Sequence, residues 1–215
     1  VSFDIERATI HALLGGNGSG KSTLIKILAG VYSADAGSFL IGGEEIDAAS
    51  MTPAISRDCG LRFVHQQNST FDSLTVAENL HVGRGFERGA LGRISWSKVR
   101  RRTRELLDRF QIDARPEQPM AQLGRATQTM VAIARALQDQ EDAHSGVLVL
   151  DEPTSSLPAV EVDLLFAALK RYAAEGQAIV LVTHRFDEVL ELADRATMLR
   201  DGRMVGTIER QETTE

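Results

Sequence analysis

The 215-residue sequence contains one cysteine, Cys59, and has no long apolar run. A single cysteine excludes an intrachain disulfide and a metal site built from a cysteine cluster, and it favours a reducing compartment. The longest apolar runs, residues 147–150 and 178–182, have the length of β-strands. They fall far short of the ~20 residues that span a bilayer. No signal peptide is recognisable. A function at a membrane would therefore require other subunits to cross it.

The sequence also lacks an excess of basic residues. Its 24 Lys and Arg residues are outnumbered by 30 Asp and Glu residues, which gives a formal net charge of −6. Proteins that grip the phosphate backbone of nucleic acids usually have the opposite balance, so no nucleic-acid partner is expected. The first residue is Val1 rather than Met, and we therefore expect the chain to be part of a longer gene product.

Three short runs of apolar, strand-forming residues are present at Ile10–Leu14, Val147–Leu150 and Ile179–Val182. Continuous runs of this length are typical of buried strands in a parallel sheet. Each run is followed by a loop with polar residues and then by a helical pattern. This alternation of strand and helix predicts an α/β fold.

The remaining segments predict two additions to that core. A turn-rich stretch, Asp35–Ile46, predicts a small antiparallel excursion, and helical patterns dominate from about Asn68 to Gln140. The predicted helices are Ser22–Ala29, Thr75–Val82, Ser95–Phe110 and Thr127–Leu137. We expect residues 1–67 to form the first part of the core, 68–140 a helical subdomain, and 141–215 the second part of the core.

A phosphate-binding loop is the strongest motif in the chain. Residues 15–22 fit the pattern G-x-x-x-x-G-K-[ST], directly after a predicted strand and at the start of a predicted helix. Glycines let successive backbone N–H groups point at phosphate oxygens, and the helix adds its positive dipole end. Lys21 can reach the β- and γ-phosphates, and the Ser22 hydroxyl can bind Mg²⁺. The candidate phosphate-binding residues are Gly15, Gly16, Asn17, Gly18, Ser19, Gly20, Lys21, Ser22 and Thr23.

Two further strand ends carry candidate catalytic residues. The second apolar run ends in Asp151 and Glu152; Asp151 is placed to hold Mg²⁺, and Glu152 to polarise the attacking water as a general base. The third run ends in His184, which can donate a hydrogen bond to a γ-phosphate oxygen. Because the ends of parallel strands meet at one edge of a sheet, we expect these groups to lie together.

Taken in order, these motifs resemble the nucleotide-binding domain of ATP-binding cassette (ABC) transporters. The resemblance extends over Phe63-Val-His-Gln66, the stretch Asp151–Leu157 and Thr183-His184, and it covers essentially the whole chain. It implies a P-loop NTPase core of the RecA type with an inserted helical subdomain and a partial antiparallel β subdomain. It also implies ATP as the nucleotide, Mg²⁺ as the metal, and ATP hydrolysis as the activity.

The resemblance assigns further roles by position. Gln66 would contact Mg²⁺ and the attacking water, with Gln67 as the competing candidate. The loop Ser155–Leu157 would cross a dimer interface, although Pro158 stands where the family usually has Asp. The aromatic residue that stacks on adenine would lie upstream of a strand beginning near Val1, so this piece alone should bind ATP weakly.

One family motif is degraded. Family members carry Leu-Ser-Gly-Gly-Gln just before a helix, here Thr129–Leu137, and this chain has Leu-Gly-Arg-Ala-Thr at Leu123–Thr127. In the family this signature loop reaches across a dimer, where a Ser hydroxyl and close Gly backbone clamp the ATP of the partner cassette. Without the hydroxyl, and with the bulky Arg125, we expect a weak clamp; the alternative is that Arg125 itself binds phosphate.

This contrast predicts unequal sites in a head-to-tail pair. The phosphate loop, Glu152 and His184 of this chain would form a competent site only against the intact signature of a different partner. The reciprocal site, which uses Leu123–Thr127, would be impaired.

Two stretches, Val64–Gly83 and His184–Gly202, resemble monosaccharide importers in particular. This implies membrane permease subunits, a second nucleotide-binding domain in the same full-length polypeptide or in a separate one, and indirectly a sugar-binding protein as partners. The expected location is the cytoplasmic face of the membrane, as a peripheral subunit. A soluble ABC ATPase acting on ribosomes or DNA, and a non-hydrolysing regulatory cassette, are the alternatives.

Overall fold

The computed structural model describes residues 1–65, 70–89, 92–140 and 146–210. The chain divides into two compact units. The sheet unit contains Val1–Phe63, Gln140–Glu152 and Leu169–Glu215, and the helical unit contains Val64–Asp139 and Pro153–Ala168. The three-part division expected from the sequence, with boundaries after residues 67 and 140, stays a prediction.

A mostly parallel sheet forms the core of the sheet unit. The strands of the chain are β1 (Ile10–Leu14), β2 (Ser38–Ile41), β3 (Glu44–Asp47), β4 (Leu61–Val64), β5 (Val147–Asp151), β6 (Ala178–Thr183), β7 (Arg195–Arg200) and β8 (Arg203–Glu209). Within the described part of the chain, six of these strands form one sheet in the order β4-β5-β6-β1-β7-β8. β6 pairs in parallel with β5 and β1, and β7 and β8 form an antiparallel hairpin. β2 and β3 form a separate antiparallel pair, as predicted.

The helices alternate with the strands. They are α1 (Lys21–Leu28), α2 (Pro53–Asp58), α3 (Val76–His81), α4 (Trp96–Arg109), α5 (Arg125–Leu137), α6 (Ala159–Ala174) and α7 (Phe186–Leu192). α1 follows β1, α6 follows β5 and α7 follows β6, each after a short loop. The predicted α/β fold is therefore confirmed, and the three apolar runs are central strands of its sheet.

Apolar side chains cover both faces of the sheet. Every residue of β1 and β6 is buried, which explains why these strands are continuous apolar runs rather than alternating ones. Leu13 belongs to one core cluster, with Ile25 of α1 and Val182, while its neighbours Ala12 and Leu14 belong to a second. Successive side chains of a strand point to opposite faces, so the two clusters lie on opposite sides of the sheet.

The expected strand near Val1 is absent from the described residues. Residues 1–9 contain no β-strand, and β1 begins at Ile10. Phe3 and Ile5 are only partly buried and pack against a core cluster of the sheet. Their alternation with polar residues therefore reflects side-chain docking onto the core rather than pairing in a ladder.

In the helical unit, α3 and α4 match the predicted helices within one or two residues at each end. A capping box fixes the start of α3, because the Thr75 hydroxyl accepts from the Glu78 N–H while the Glu78 carboxylate accepts from the Thr75 N–H. α5 begins at Arg125, earlier than either predicted start, Thr127 or Thr129. The signature segment is thus partly helical. No helix in the described ranges is long and apolar enough to cross a membrane.

Candidate active site

The candidate residues of the sheet unit lie at the carboxyl ends of neighbouring strands. In the strand register, Leu14 at the end of β1 faces Thr183 at the end of β6. Asp151 at the end of β5 faces Val182 of β6. The phosphate loop, the two acidic residues and His184 therefore leave the sheet at the same edge, as expected from the parallel topology.

The phosphate loop combines an open backbone with a glycine at the N-cap position of the helix that follows it. Gly18 (φ 78°) and Gly20 (φ 101°) have left-handed backbone conformations that favour glycine. Gly20 is the N-cap residue of α1, and as a glycine it offers no side chain to cap that helix end. A Cβ built on Gly16 or Gly18 would meet no atom within 4 Å. The loop thus has free space beside Gly16 and Gly18 and leads into the N-terminus of a helix, and it fits an anionic phosphate group.

The β7–β8 hairpin contacts and supports this loop. The Gly202 N–H donates to the Ser19 carbonyl oxygen at 3.0 Å. A Cβ on Gly15 would lie 2.5 Å from the Leu199 carbonyl oxygen and 2.5 Å from the Ser19 hydroxyl oxygen. Gly15 is therefore required by close packing against β7, a role that the motif alone does not reveal.

Lys21 is buried although its side chain is cationic, with 7% of its surface exposed. Its Nζ donates to the carbonyl oxygens of Gly15 (2.5 Å) and Gly16 (3.1 Å), so the ammonium lies against the loop that precedes it. Ser22 and Thr23, the next residues of α1, are exposed. The ammonium and both hydroxyl groups therefore belong to the same end of α1.

Glu152 and His184 form a direct contact. The His184 Nδ1 lies 3.0 Å from the Glu152 Oε1, and an ionised carboxylate can only accept, so Nδ1–H is the donor. Glu152 also has a left-handed backbone (φ 48°), which is uncommon for a residue with a side chain. Its N–H donates to the Val182 carbonyl oxygen at 2.9 Å, which ties this turn to β6. Such strain is typical of functional sites.

A buried carboxylate supports the loop that carries His184. The Thr183 hydroxyl donates to Glu188 at 2.8 Å and accepts from the Arg185 N–H at 3.0 Å. Glu188 is 2% exposed and pairs with the Arg185 guanidinium at 3.2 Å. Sequence patterns alone do not identify these supporting residues. The only available signal was the acidic first turn of α7, which does not identify the partner.

Gln66 and the competing Gln67 lie outside the described residues, so their roles stay predictions. Asp151 ends β5 and is half-buried. In the described part of the chain, no group of three or more His, Cys, Asp or Glu residues is arranged to hold a metal ion. The residues of this chain that fit Mg²⁺ are the oxygen donors Ser22 and Asp151, together with nucleotide oxygens, since Mg²⁺ prefers such ligands and retains water.

The signature segment lies in the helical unit, at the start of α5. Gln128 fixes the preceding turn, because its Nε2 donates to the carbonyl oxygens of Met120 (2.9 Å) and Leu123 (3.1 Å). The Arg125 guanidinium donates to the Gln128 Oε1 at 3.0 Å and lies 3.9 Å from Asp72. The same side chain lines a cavity of about 500 Å³ in this unit. Arg125 is therefore engaged by polar groups of its own unit.

Comparison with known families identifies this arrangement. The ABC transporter family matches residues 1–155, which include the phosphate loop, the acidic strand end and the signature segment. The chain belongs to the ABC transporter family.

Relatives of this ABC protein are similar over almost the entire chain. It is 39% identical over 207 residues, 96% of its length, to a Geobacillus kaustophilus protein named for import of ribose, galactose or methyl galactoside. It is 40% identical over 206 residues, also 96% of its length, to a ribose import ATP-binding protein of Jannaschia sp.. The chain spans 40% and 39% of the length of these two relatives.

The ABC fold is also found among solved structures. A nucleotide-free ATP-binding cassette from an ABC transporter matches 99% of this chain and 85% of its own, with a TM-score of 0.81 and 23% sequence identity. At this identity the match concerns the fold alone.

Proposed function

We propose that this chain is the ATP-binding and ATP-hydrolysing part of an ABC importer for a simple sugar. The observation that carries the proposal is the 3.0 Å contact between Glu152 and His184 at the sheet edge from which the phosphate loop also emerges. The names of the relatives support the transported class, because they refer to ribose and galactose import.

The phosphate loop binds the nucleotide in this proposal. Backbone N–H groups of residues 15–22 donate to phosphate oxygens, and the positive end of α1 attracts their charge. Lys21 supplies one ammonium, which exchanges its carbonyl partners Gly15 and Gly16 for the β- and γ-phosphates. Bound Mg²⁺ would withdraw charge from the phosphate oxygens, and Ser22 and Asp151 would hold it.

Hydrolysis then depends on Glu152 and His184. The Nδ1–H of His184 orients the Glu152 carboxylate by binding Oε1, and the carboxylate accepts the proton of the attacking water. A neutral imidazole has a single N–H, so His184 would stabilise a γ-phosphate oxygen by turning its Nδ1–H from the Glu152 carboxylate to that oxygen. Gln66 would position the same water, as the family resemblance implies.

The proposed partners follow from the same assignment. Permease subunits would carry the sugar across the membrane, and a sugar-binding protein would deliver it to them. A second nucleotide-binding domain would complete each ATP site, and the greater length of the relatives is consistent with its presence in the same polypeptide. The chain would then be peripheral to the cytoplasmic face of the membrane.

The decisive test is ATP turnover by the assembled transporter carrying Glu152→Gln. We expect turnover to fall by roughly 100-fold or more, because the general base is lost, while ATP binding is retained. Glu191→Gln is the matched control, since Glu191 is an exposed carboxylate of α7. Unchanged turnover would contradict the assignment of Glu152.

A second measurement tests the transported class. Vesicles containing the transporter should accumulate labelled ribose or galactose only with the active ATPase, and the Glu152→Gln transporter should not. Co-purification of the protein with ribosomes or DNA, without permease subunits, would instead favour the soluble ABC ATPase considered above.

A further inference from the structure

The N-terminus of α5 is occupied by a carboxylate from another segment of the helical unit. The Ala126 N–H, in the first turn of α5, donates to the Glu161 Oε2 at 2.7 Å. Glu161 lies in the first turn of α6. No side chain at the N-cap position fulfils this task, because that residue is Gly124. The carboxylate therefore takes the position that a Ser or Asp side chain at the N-cap usually fills.

Gly124 makes room for this carboxylate. A Cβ built on Gly124 would lie 3.0 Å from the Glu161 Oε2 and 3.2 Å from both its Oε1 and its Cδ. Contacts this short require the carboxylate to move by a few tenths of an ångström. A hydroxyl-bearing side chain at position 124 would also compete for the same N–H groups of α5. Gly124 and Glu161 thus form a matched pair.

The charge of Glu161 changes what the helix end can bind. A helix N-terminus carries about half a positive elementary charge, and a carboxylate at 2.7 Å more than neutralises it. The guanidinium of Arg125, the first residue of α5, donates to Gln128 and lies 3.9 Å from Asp72. A second anion at this helix end would therefore be repelled by the Glu161 carboxylate and would compete with it for the Ala126 N–H.

We propose that Glu161 is a positioning residue of the signature loop, an internal anion that caps α5 and excludes external phosphate from it. The capping itself is independent of the proposed function. The exclusion of the phosphate of a partner cassette's ATP rests on that function, and it gives the impaired reciprocal site a physical cause within this chain.

The first experiment follows the Ala126 amide by NMR hydrogen exchange in the chain. We expect Glu161→Ala to lower the protection of this amide by about fivefold or more, and Glu161→Gln to recover part of it. Asp163→Asn is the matched control, an exposed carboxylate two residues further along α6. Equal protection in the native chain and in Glu161→Ala would overturn the capping role.

A double-variant cycle separates the matched pair from a general loss of stability. Gly124→Ser should restore Ala126 protection when combined with Glu161→Ala, because the new hydroxyl can cap the helix. In the native background the same substitution should give no gain, since the carboxylate already occupies the position. Additive effects of the two substitutions would contradict the pairing.

The second experiment adds inorganic phosphate, with Lys21→Ala as the common background to weaken binding at the phosphate loop. The Ala126 amide resonance should shift with phosphate in the Glu161→Ala variant and stay unmoved when Glu161 is present. Identical behaviour of the two would overturn the exclusion. Neither measurement uses ATP turnover, so failure here is distinguishable from failure of the proposed transporter function.

Discussion

At the scale of single residues, Lys21 links the resting contacts of the phosphate loop to its proposed ligand. Its ammonium is satisfied by two carbonyl oxygens of the loop, so phosphate binding exchanges neutral partners for charged ones. Hydrogen bonds to charged groups are stronger than those to neutral ones. The lysine therefore favours the nucleotide while avoiding an unpaired buried charge in its absence.

We expect Lys21→Ala to weaken ATP binding by about 10- to 100-fold, the effect of losing a charged hydrogen-bond donor worth roughly 1.5–3 kcal/mol. Isothermal titration with ATP and Mg²⁺ measures this. Lys26→Ala is the control, because Lys26 lies on the same helix but is exposed, with its Nζ 3.4 Å from the Tyr32 hydroxyl. A similar loss of ATP affinity in both variants would show that the effect comes from the overall charge of the helix rather than from a contact made by Lys21.

A second residue-scale prediction concerns His11 in β1. The ring is 1% exposed, and its Nε2 bonds to the Thr197 hydroxyl at 2.9 Å. Burial, reinforced by the charge of Arg195, lowers the pKa of His11 from 6.5 to about 4. The folded state therefore disfavours the protonated ring. Between these two values the unfolded chain binds more protons, so stability rises with pH and is lost as pH falls.

The measurement is the free energy of unfolding from urea titrations between pH 7 and pH 4. His11 should contribute a loss of up to about 3 kcal/mol over this range, because each pKa unit corresponds to about 1.36 kcal/mol. In His11→Gln this contribution is absent, and the stability curve should be flatter. Parallel curves for the two proteins would contradict the burial argument, since all other titrating groups are shared.

Short-range motifs predicted some residues of the site well and others not at all. Asp151, Glu152 and His184 follow apolar runs directly, so sequence order alone places them at strand ends. Gly202 and Glu188 support the site through contacts with Ser19 and Thr183. Gly202 is distant from Ser19 in sequence, and Glu188 was indistinguishable from any acidic residue in a helical first turn. No motif specifies such contacts.

At the scale of elements, the phosphate loop depends on the hairpin that supports it. β7 approaches Gly15 so closely that a methyl group there would meet the Leu199 carbonyl oxygen at 2.5 Å, and Gly202 donates to the Ser19 carbonyl. The position of the loop is therefore determined by β7 and β8 as well as by β1 and α1. A larger side chain should therefore destabilise the fold at a loop position that contacts the hairpin, but not at a loop position that faces free space.

We expect Gly15→Ala to destabilise the fold by about 1–3 kcal/mol, the usual cost of overpacking. This corresponds to a fall in Tm of roughly 2–12 °C for a chain of this size. Gly16→Ala is the matched control in the adjacent position, because its Cβ would meet nothing within 4 Å. Thermal unfolding followed by circular dichroism compares them. Equal Tm values would mean that β7 shifts to accommodate the methyl group without loss of stability.

The elements themselves were predictable to different degrees. β1 has the predicted bounds and β6 is longer than its predicted run by one residue at each end, because fully buried strands are uninterrupted apolar runs. α5 starts earlier than predicted because its cap, Glu161, comes from another part of the chain. Residues 1–9 resemble a strand in pattern, yet Phe3 and Ile5 only dock on the core. Local patterns predict burial, whereas caps and pairing partners depend on the tertiary fold.

At the scale of the whole molecule, the chain holds the two parts of the proposed ATP sites in different states. The sheet unit holds an intact phosphate loop and the Glu152–His184 pair. The helical unit holds a signature segment whose helix end is already bound by Glu161. In a head-to-tail pair each ATP site takes one half from each partner, so this chain would complete one site well and the other poorly.

The resulting prediction concerns restoration of the weak site in the assembled transporter. Replacing Gly124→Ser, Arg125→Gly and Ala126→Gly, together with Glu161→Ala to make room at position 124, should raise the ATP trapped per transporter from about one toward two. The physical reason is that a hydroxyl and close backbone N–H groups become available to phosphate, without a competing carboxylate. The measurement is the stoichiometry of labelled ATP retained when hydrolysis is blocked at both sites, by Glu152→Gln in this chain and by the matching Glu→Gln substitution in the partner cassette. The matched control makes the same signature replacement but keeps Glu161, and it should retain less nucleotide than the quadruple variant. A stoichiometry near two in the unmodified transporter would show that both sites already clamp ATP, in which case the degraded signature does not weaken the reciprocal site.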